Sequence, residues 1–235
     1  MLPEVRVYDE DVFEQLLYMP EFQPEFVTTE SRNRTRYYIQ EEGRRQAQGE
    51  LSREDFLQQC GFRIRIHRIE PHEISRATEL IQRTNQLNTS IRRYSRQEVI
   101  SMSRDPEYDV FTVHLSDRYG DYGLVGVFIG QRLPDKYQID TLLFSCRAMS
   151  RGVEEYTLSY VLNCIREEGY KEVVLCFRKG PRNNQMSSIL ENCFFTEFSC
   201  GEEEVVYGFD LAGQQIKPFC SWIRPADQTE QVGNT

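Results

Sequence analysis

Between Ile139 and Leu162 the chain reads IDTLLFSCRAMSRGVEEYTLSYVL: an apolar strand run, a Ser-Cys-Arg segment, a turn at Arg151-Gly152, and the opening of a helix. A strand that turns tightly into a helix leaves backbone N–H groups unpaired at the helix start, where an anionic or carbonyl-bearing ligand can be gripped. Leu142, Leu143 and Phe144 are apolar on both faces of the strand, which places it centrally in a sheet. Leu158, Val161, Leu162 and Ile165 recur at helical spacing, a core-facing stripe that stops at Gly169. The active or binding site is expected at this strand, turn and helix start.

The remaining elements follow from periodicity. FRIRIHRI, from Phe62, alternates apolar and basic residues, the period of a strand with one wet face. His67 falls on the arginine side and reads as a surface residue rather than a ligand. Ile74, Ala77, Leu80 and Ile81 predict a helix ending near RTNQLN, and Ser95 to Met102 a shorter one. DVFTVHLSD and LVGVFIG flank the glycine-containing loop RYGDYG as a hairpin. KEVVLCF predicts a strand, NNQMSSILENC a helix and EEEVVYGFDL a last strand, with disorder expected after Trp222.

Residues 1–60 read as an appendage. VRVYD is strand-like, Val12 to Leu17 has the spacing of a short amphipathic helix, and a very polar segment after Thr29 or Ser31 as N-cap predicts a helix. That helix has too little apolar surface to stand alone and must lie on something else. Ser52 caps a further short helix that ends near Gly61. Residues 61–212 are the expected main domain and 213–235 a C-terminal extension.

The net charge of −9 argues against nucleic acid as a partner. Of the 28 basic residues all but four are arginine, many of them between Arg32 and Arg96, an arrangement suited either to docking carboxylates and phosphates or to a solvated face with internal ion pairs. The seven cysteines are scattered without a C-x-x-C pair and there are three histidines, which fits neither a disulfide framework nor a zinc site, so reduced thiols and no metal are expected. With no apolar run near the ~20 residues of a membrane span and no signal pattern, a cytoplasmic chain is expected.

Strand, helix, helix, three strands, helix, strand, helix, strand is a mixed α/β order, and it resembles the fold of the Gcn5-related N-acetyltransferases. In that family a strand feeds a phosphate-gripping turn, and the next helix start holds the pyrophosphate of an acyl-coenzyme A. RTNQLN with Arg92-Arg93-Tyr94, DRYGDYGLVG, IDTLLFSCR and RGVEE resemble, in order, the carboxy-terminal region of FkbH-like (HAD-IIIC) proteins over about residues 30–210. Those relatives load a glyceryl or similar acyl unit onto an acyl carrier protein in polyketide and related pathways. Their first domain, of haloacid dehalogenase type with an Asp-x-Asp-x-Thr motif, has no counterpart here, and residues 1–30 read as its tail.

The resemblance implies that the backbone of Leu143, Phe144, Ser145, Cys146 and Arg147 runs along a pantetheine arm. Arg147, Arg151, Gly152 and Val153 would then hold phosphate, while Asn183 and Asn184 contact the arm or cap their helix. Against the family turn Arg/Gln-x-x-Gly-x-Gly/Ala, only Gly152 matches, and Glu154 stands where a carboxylate would repel a pyrophosphate. The phosphopantetheine of a carrier protein is therefore expected in preference to free coenzyme A or acetyl-coenzyme A. Cys146 is either an attacking thiolate, with His114 as the available partner, or a small buried strand residue. Asp121 is either a general base or the hairpin-turn residue. Asn85 and Asn88 would orient the acyl or acceptor group, and Arg92 and Arg93 would meet an acidic carrier. Three functions remain open: transfer with a carrier protein, acetyl-coenzyme A-dependent N-acetylation, and non-catalytic docking of a carrier for a dehalogenase-type partner.

Overall fold

The computed structural model describes residues 12, 15–19, 34–49 and 51–226. The expected VRVYD strand, the Thr29 or Ser31 cap and the segment after Ala226 lie outside the described residues. Of the expected first helix, the described part contains a single 3-10 turn, Leu16–Tyr18.

Helix α1 is Arg34–Gln48 and α2 is Arg53–Cys60. The latter starts on Ser52, whose hydroxyl accepts from the Asp55 N–H, and stops at Gly61, which adopts the left-handed conformation with φ 62°. Strand β1 (Phe62–Arg68) leads to α3 (Ile74–Arg83), the two-residue strand β2 (Leu87–Asn88) and α4 (Arg96–Arg104). Ser95 and Glu98 form a reciprocal capping box at the start of α4. Strands β3 (Tyr108–Asp117), β4 (Gly120–Arg132) and β5 (Tyr137–Phe144) form an antiparallel meander. A 3-10 turn, Cys146–Ala148, then precedes α5 (Val153–Glu167). Strand β6 (Glu172–Arg178), α6 (Asn184–Asn192), β7 (Thr196–Cys200), β8 (Glu204–Asp210) and β9 (Ile223–Pro225) complete the chain.

The strands make one mixed sheet in the order β7-β8-β6-β5-β4-β3-β1-β9, with β2 paired to β5 off that path. Helices lie on both faces. Ala77, Leu80 and Ile81 of α3 and Val99 of α4 pack on Val110, Leu124, Val127 and Leu143 of the sheet. On the other face Leu158, Val161, Leu162 and Ile165 of α5 and Met186, Ile189 and Leu190 of α6 join Phe128, Leu142 and Phe144. Each such burial stabilises by roughly 1.5–3 kcal/mol. The element order is that of the acetyltransferase fold, as its resemblance implied.

Three strands, β2, β7 and β9, escaped the sequence pattern because they carry no alternation to read. All five residues of the edge strand β7 are exposed. Strand β9 pairs parallel to β1, with Phe62 opposite Ile223, and the Ala226 N–H donates to the Ile64 carbonyl at 2.8 Å, so residues 223–226 are ordered by the sheet and not by their own periodicity.

Candidate active site

The parallel ladder between β5 and β6 runs only from Tyr137–Val173 to Ile139–Leu175. Beyond Ile139 the free side of β5 is taken by the chain itself: Leu87 pairs with Phe144 and Asn88 with Leu143. Thr89 bridges the gap, its N–H donating to the Leu142 carbonyl at 3.0 Å, its hydroxyl accepting from the Leu142 N–H at 2.9 Å, and its carbonyl accepting from the Arg178 N–H at 2.8 Å. Leu143 and Phe144 are fully buried, and on their other side they pair with Val127 and Gly126 of β4. The expectation that a pantetheine arm runs beside Leu143 and Phe144 is thus corrected, because every backbone group that would receive it is already paired.

The asparagines expected to touch substrate hold this arrangement closed. Asn88 is fully buried; its Oδ1 accepts from the N–H groups of Ser90 and Ile91 and its Nδ2 donates to the Thr84 carbonyl. Asn183, also fully buried, donates to the carbonyls of Asn88 and Arg178 and accepts from the Gly180 N–H. Neither orients a ligand. Asn184 is exposed at the start of α6, whereas Asn85 takes no part in this pairing: it is exposed, accepts a short hydrogen bond from Arg93 and lines the same cleft as Cys146, as expected of a substrate-facing residue. Arg93 also donates to the carbonyls of Ile81 and Thr84, closing the C-terminus of α3. Arg92 pairs with Asp140 at 2.5 Å, and Asp140 also accepts from the Tyr94 hydroxyl at 2.7 Å.

The turn at residues 149–154 is likewise occupied from within. Gly152 has φ 82°, and a Cβ there would lie 2.9 Å from the Cys220 sulfur and 3.2 Å from the Trp222 ring. The Trp222 indole donates to the Arg151 carbonyl at 2.8 Å, so the C-terminal segment covers the turn. Arg151 is engaged by Glu41 at 3.0 Å, the Tyr122 hydroxyl at 3.1 Å and the Met149 carbonyl. Val153 is fully buried. Glu154 is 1 % exposed, and its Oε1 has no hydrogen-bond partner among the described residues. Burial pushes its pKa up to about 7. The carboxyl is enclosed within the fold and not presented at the surface to an incoming pyrophosphate.

What remains open is a cleft of about 660 Å³ at the C-terminal end of β5, walled by α1 on one side and α3 on the other. Six arginines line it (Arg44, Arg76, Arg83, Arg147, Arg151 and Arg182) against two glutamates, Glu41 and Glu79. Helix α1 is held there by charge and aromatic contact. Arg44, 4 % exposed, forms a two-point pair with Asp117 at 2.7 and 2.9 Å and lies 4.1 Å over the Tyr122 ring. Tyr37 stacks under the Arg147 guanidinium at 4.2 Å.

Cys146 lines this cleft and is exposed, so the reading as a small buried strand residue is corrected: β5 ends at Phe144, and the 3-10 turn, started by the Ser145 hydroxyl accepting from the Arg147 N–H, turns the thiol outward. Beside it, Nη1 of Arg147 is buried without a hydrogen-bond partner among the described residues. His114 is not in the cleft; its Nε2 lies 2.5 Å from Glu73. Asp121 is not in the cleft either. It is exposed and accepts from the Gly123 N–H at 2.7 Å, the hairpin-turn role. Sequence reasoning missed Tyr37, Glu41 and Arg44, whose only signal was a polar helix needing a surface to lie on.

No protein-family model matches the chain, and no curated protein does. Among solved structures, a domain from Methanocaldococcus jannaschii superposes with a TM-score of 0.51 at 17% identity, covering 63% of this chain and 99% of that one. The protein smu.2055 of Streptococcus mutans gives 0.50 at 13% identity over 63% and 99%. The ribosomal-protein-S18-alanine N-acetyltransferase of Escherichia coli gives 0.49 at 14% over 67% and 99%. Identities this low speak to the fold and not to the reaction. Among the described residues no helix is long and apolar enough to cross a membrane.

Proposed function

We propose that this chain is an acyltransferase in which the Cys146 thiol accepts an acyl group from the phosphopantetheine thioester of an acyl carrier protein docked at the arginine-lined mouth. The observation that carries this is Cys146 itself, an exposed thiol in a cleft with six arginines, next to a guanidinium nitrogen that has no partner among the described residues. The sulfur of the Cys146 thiolate attacks the thioester carbonyl carbon and forms a new S–C bond. The old C–S bond breaks, its electron pair leaves with the carrier sulfur, and that thiolate takes the proton released by Cys146. Arg147 offers its unpartnered N–H to the oxyanion. An acceptor hydroxyl, amine or thiol then removes the acyl group by the same exchange.

The FkbH-like resemblance supports a carrier protein and a dehalogenase-type partner supplying the three-carbon unit. The covered turn leaves no open grip for the pyrophosphate of coenzyme A, which favours the single phosphate of a carrier's arm, while the occupied β5 edge bars either pantetheine arm alike from lying along Leu143 and Phe144. The same occupied edge favours a second reading, a non-catalytic module that docks the carrier for its partner.

Intact-mass measurement after mixing with an acyl-loaded carrier protein tests this. Capture of one acyl group by the wild type, absent in Cys146→Ala, is expected, together with no calorimetric binding of acetyl-coenzyme A. Carrier binding without any adduct at saturation, with or without the dehalogenase-type partner, would leave the docking module. Micromolar binding of acetyl-coenzyme A, about −8 kcal/mol, with turnover independent of Cys146, would overturn the proposal in favour of an ordinary acetyltransferase.

A further inference from the structure

His67 and His114 sit on adjacent strands, in a register that sets His67 opposite Thr112 and Arg65 opposite His114. Both imidazoles therefore rise from the same face of the sheet, with ring centroids 5.4 Å apart and planes 25° from parallel. Glu73, at the N-terminal boundary of α3, meets them there with its side chain 2 % exposed. Its two oxygens divide the work. Oε2 accepts from the Glu70 N–H at 2.9 Å and the Thr112 hydroxyl at 3.0 Å, which orients the carboxylate. Oε1 is left to the rings, with His114 Nε2 at 2.5 Å and His67 Nε2 at 3.2 Å. Glu70 Oε1 lies 3.8 Å from His67 Nε2, on the solvent side.

We propose that His67, Glu73 and His114 form a binding site for one divalent transition-metal ion of the zinc class. Two imidazoles and a carboxylate are a borderline-soft donor set of the kind zinc takes, and the three donor atoms lie within 4.8 Å of one another. Tetrahedral bonds of about 2.0 Å require donor atoms roughly 3.3 Å apart. His67 and Glu73 already meet that spacing, and His114 must withdraw by less than about 1 Å. Glu70 or water completes the shell, since both rings are only partly covered, 21 % and 23 % exposed at the side chain. The ligands are separated in the chain as β1, the entry to α3 and β3, which is why cysteine and histidine spacing excluded a zinc site.

Two features weaken the site. Nδ1 of His67 is buried without a partner, whereas a metal-bound ring ordinarily donates its second N–H, and loss of such a partner costs ~10–100-fold in affinity. Arg65 adds a cation on the same face. The ion would tie the start of α3 to the sheet, and α3 carries Arg76, Leu80 and Arg83 into the cleft.

The test is titration of chelator-stripped full-length protein with cobalt(II), a spectroscopic stand-in for zinc. One equivalent should bind with the visible bands of a low-coordinate nitrogen and oxygen site, without the near-ultraviolet thiolate band, and zinc should displace it. His67→Gln and His114→Gln should each weaken binding at least ~10-fold while far-ultraviolet circular dichroism stays unchanged. Glu73→Gln is less suitable alone, because a buried oriented carboxylate also serves the fold. No saturable binding up to roughly millimolar cobalt, a thiolate band accompanying it, or undiminished binding in both histidine variants would overturn the site.

Discussion

Glu154 is the group whose removal most directly tests how the turn before α5 is built. Its carboxyl is buried at 1 % exposure, one oxygen has no partner among the described residues, and its pKa is pushed by burial from the ordinary 4.5 to about 7. Because the folded pKa lies above the unfolded one, the stability tied to the protonated group is complete below pH 4.5 and is lost as pH rises toward and through about 7. The folded chain then carries a buried charge. At 1.36 kcal/mol per unit the full loss is about 3 kcal/mol, most of which falls between pH 5 and 8. Glu154→Gln removes the titration and nearly keeps the shape, adding at most a pH-independent offset for its amide. The stability of the variant minus that of the wild type should therefore climb by about 2–3 kcal/mol from pH 5 to pH 8, or roughly 5–10 °C in Tm for a chain of this size. Urea denaturation at four pH values measures it. Parallel curves, within about 0.5 kcal/mol throughout, would mean that Glu154 is solvated and not enclosed at the start of α5.

Arg147→Met should slow acyl capture at Cys146 by ~100–1,000-fold, the loss of one oxyanion donor, yet cost the fold only about 0.5–1 kcal/mol for the Tyr37 contact, as timed acylation and urea melts would show. Asn183→Ala removes a side chain bonded to Gly180, Asn88 and Arg178 in the core and should destabilise by about 3 kcal/mol; a change below about 1 kcal/mol would mean water replaces it. Gly152→Ala forces a Cβ against Cys220 and Trp222 at a left-handed position and should cost roughly 1–3 kcal/mol, read by Tm and by a shift in the fluorescence of Trp222, the chain's single tryptophan.

Much of the frame was legible because it is local. The stripe Leu158, Val161, Leu162, Ile165 repeats at helical spacing and is buried as a stripe, and the apolar run of β5 is central because it can be covered on both faces. Ser52 with Gly61, and Ser95 with Glu98, mark helix ends through hydrogen bonds spanning three or four residues, which a sequence window contains. The site was legible in place but not in occupancy. Asn85, Ser145, Cys146, Arg147 and Arg151 line the cleft, and so does Phe144, whereas Leu143, Asn88 and Asn183 are consumed by the pairing of β2 with β5.

That pairing shows where sequence stops. Leu87 and Asn88 are two residues without periodicity, and their partners Phe144 and Leu143 lie more than fifty positions away. The same holds for Glu41 on Arg151, for Tyr37 under Arg147, and for His67, whose alternation marks a wet face while Glu73 and His114 converge on it from other elements. By itself the sequence determined the helices, most of the strands and the position of the turn, because backbone propensity and side-chain period act over a few residues. Only the tertiary structure decided which backbone groups stay free for a ligand, because a hydrogen-bonding edge is claimed by whichever segment the whole fold brings beside it.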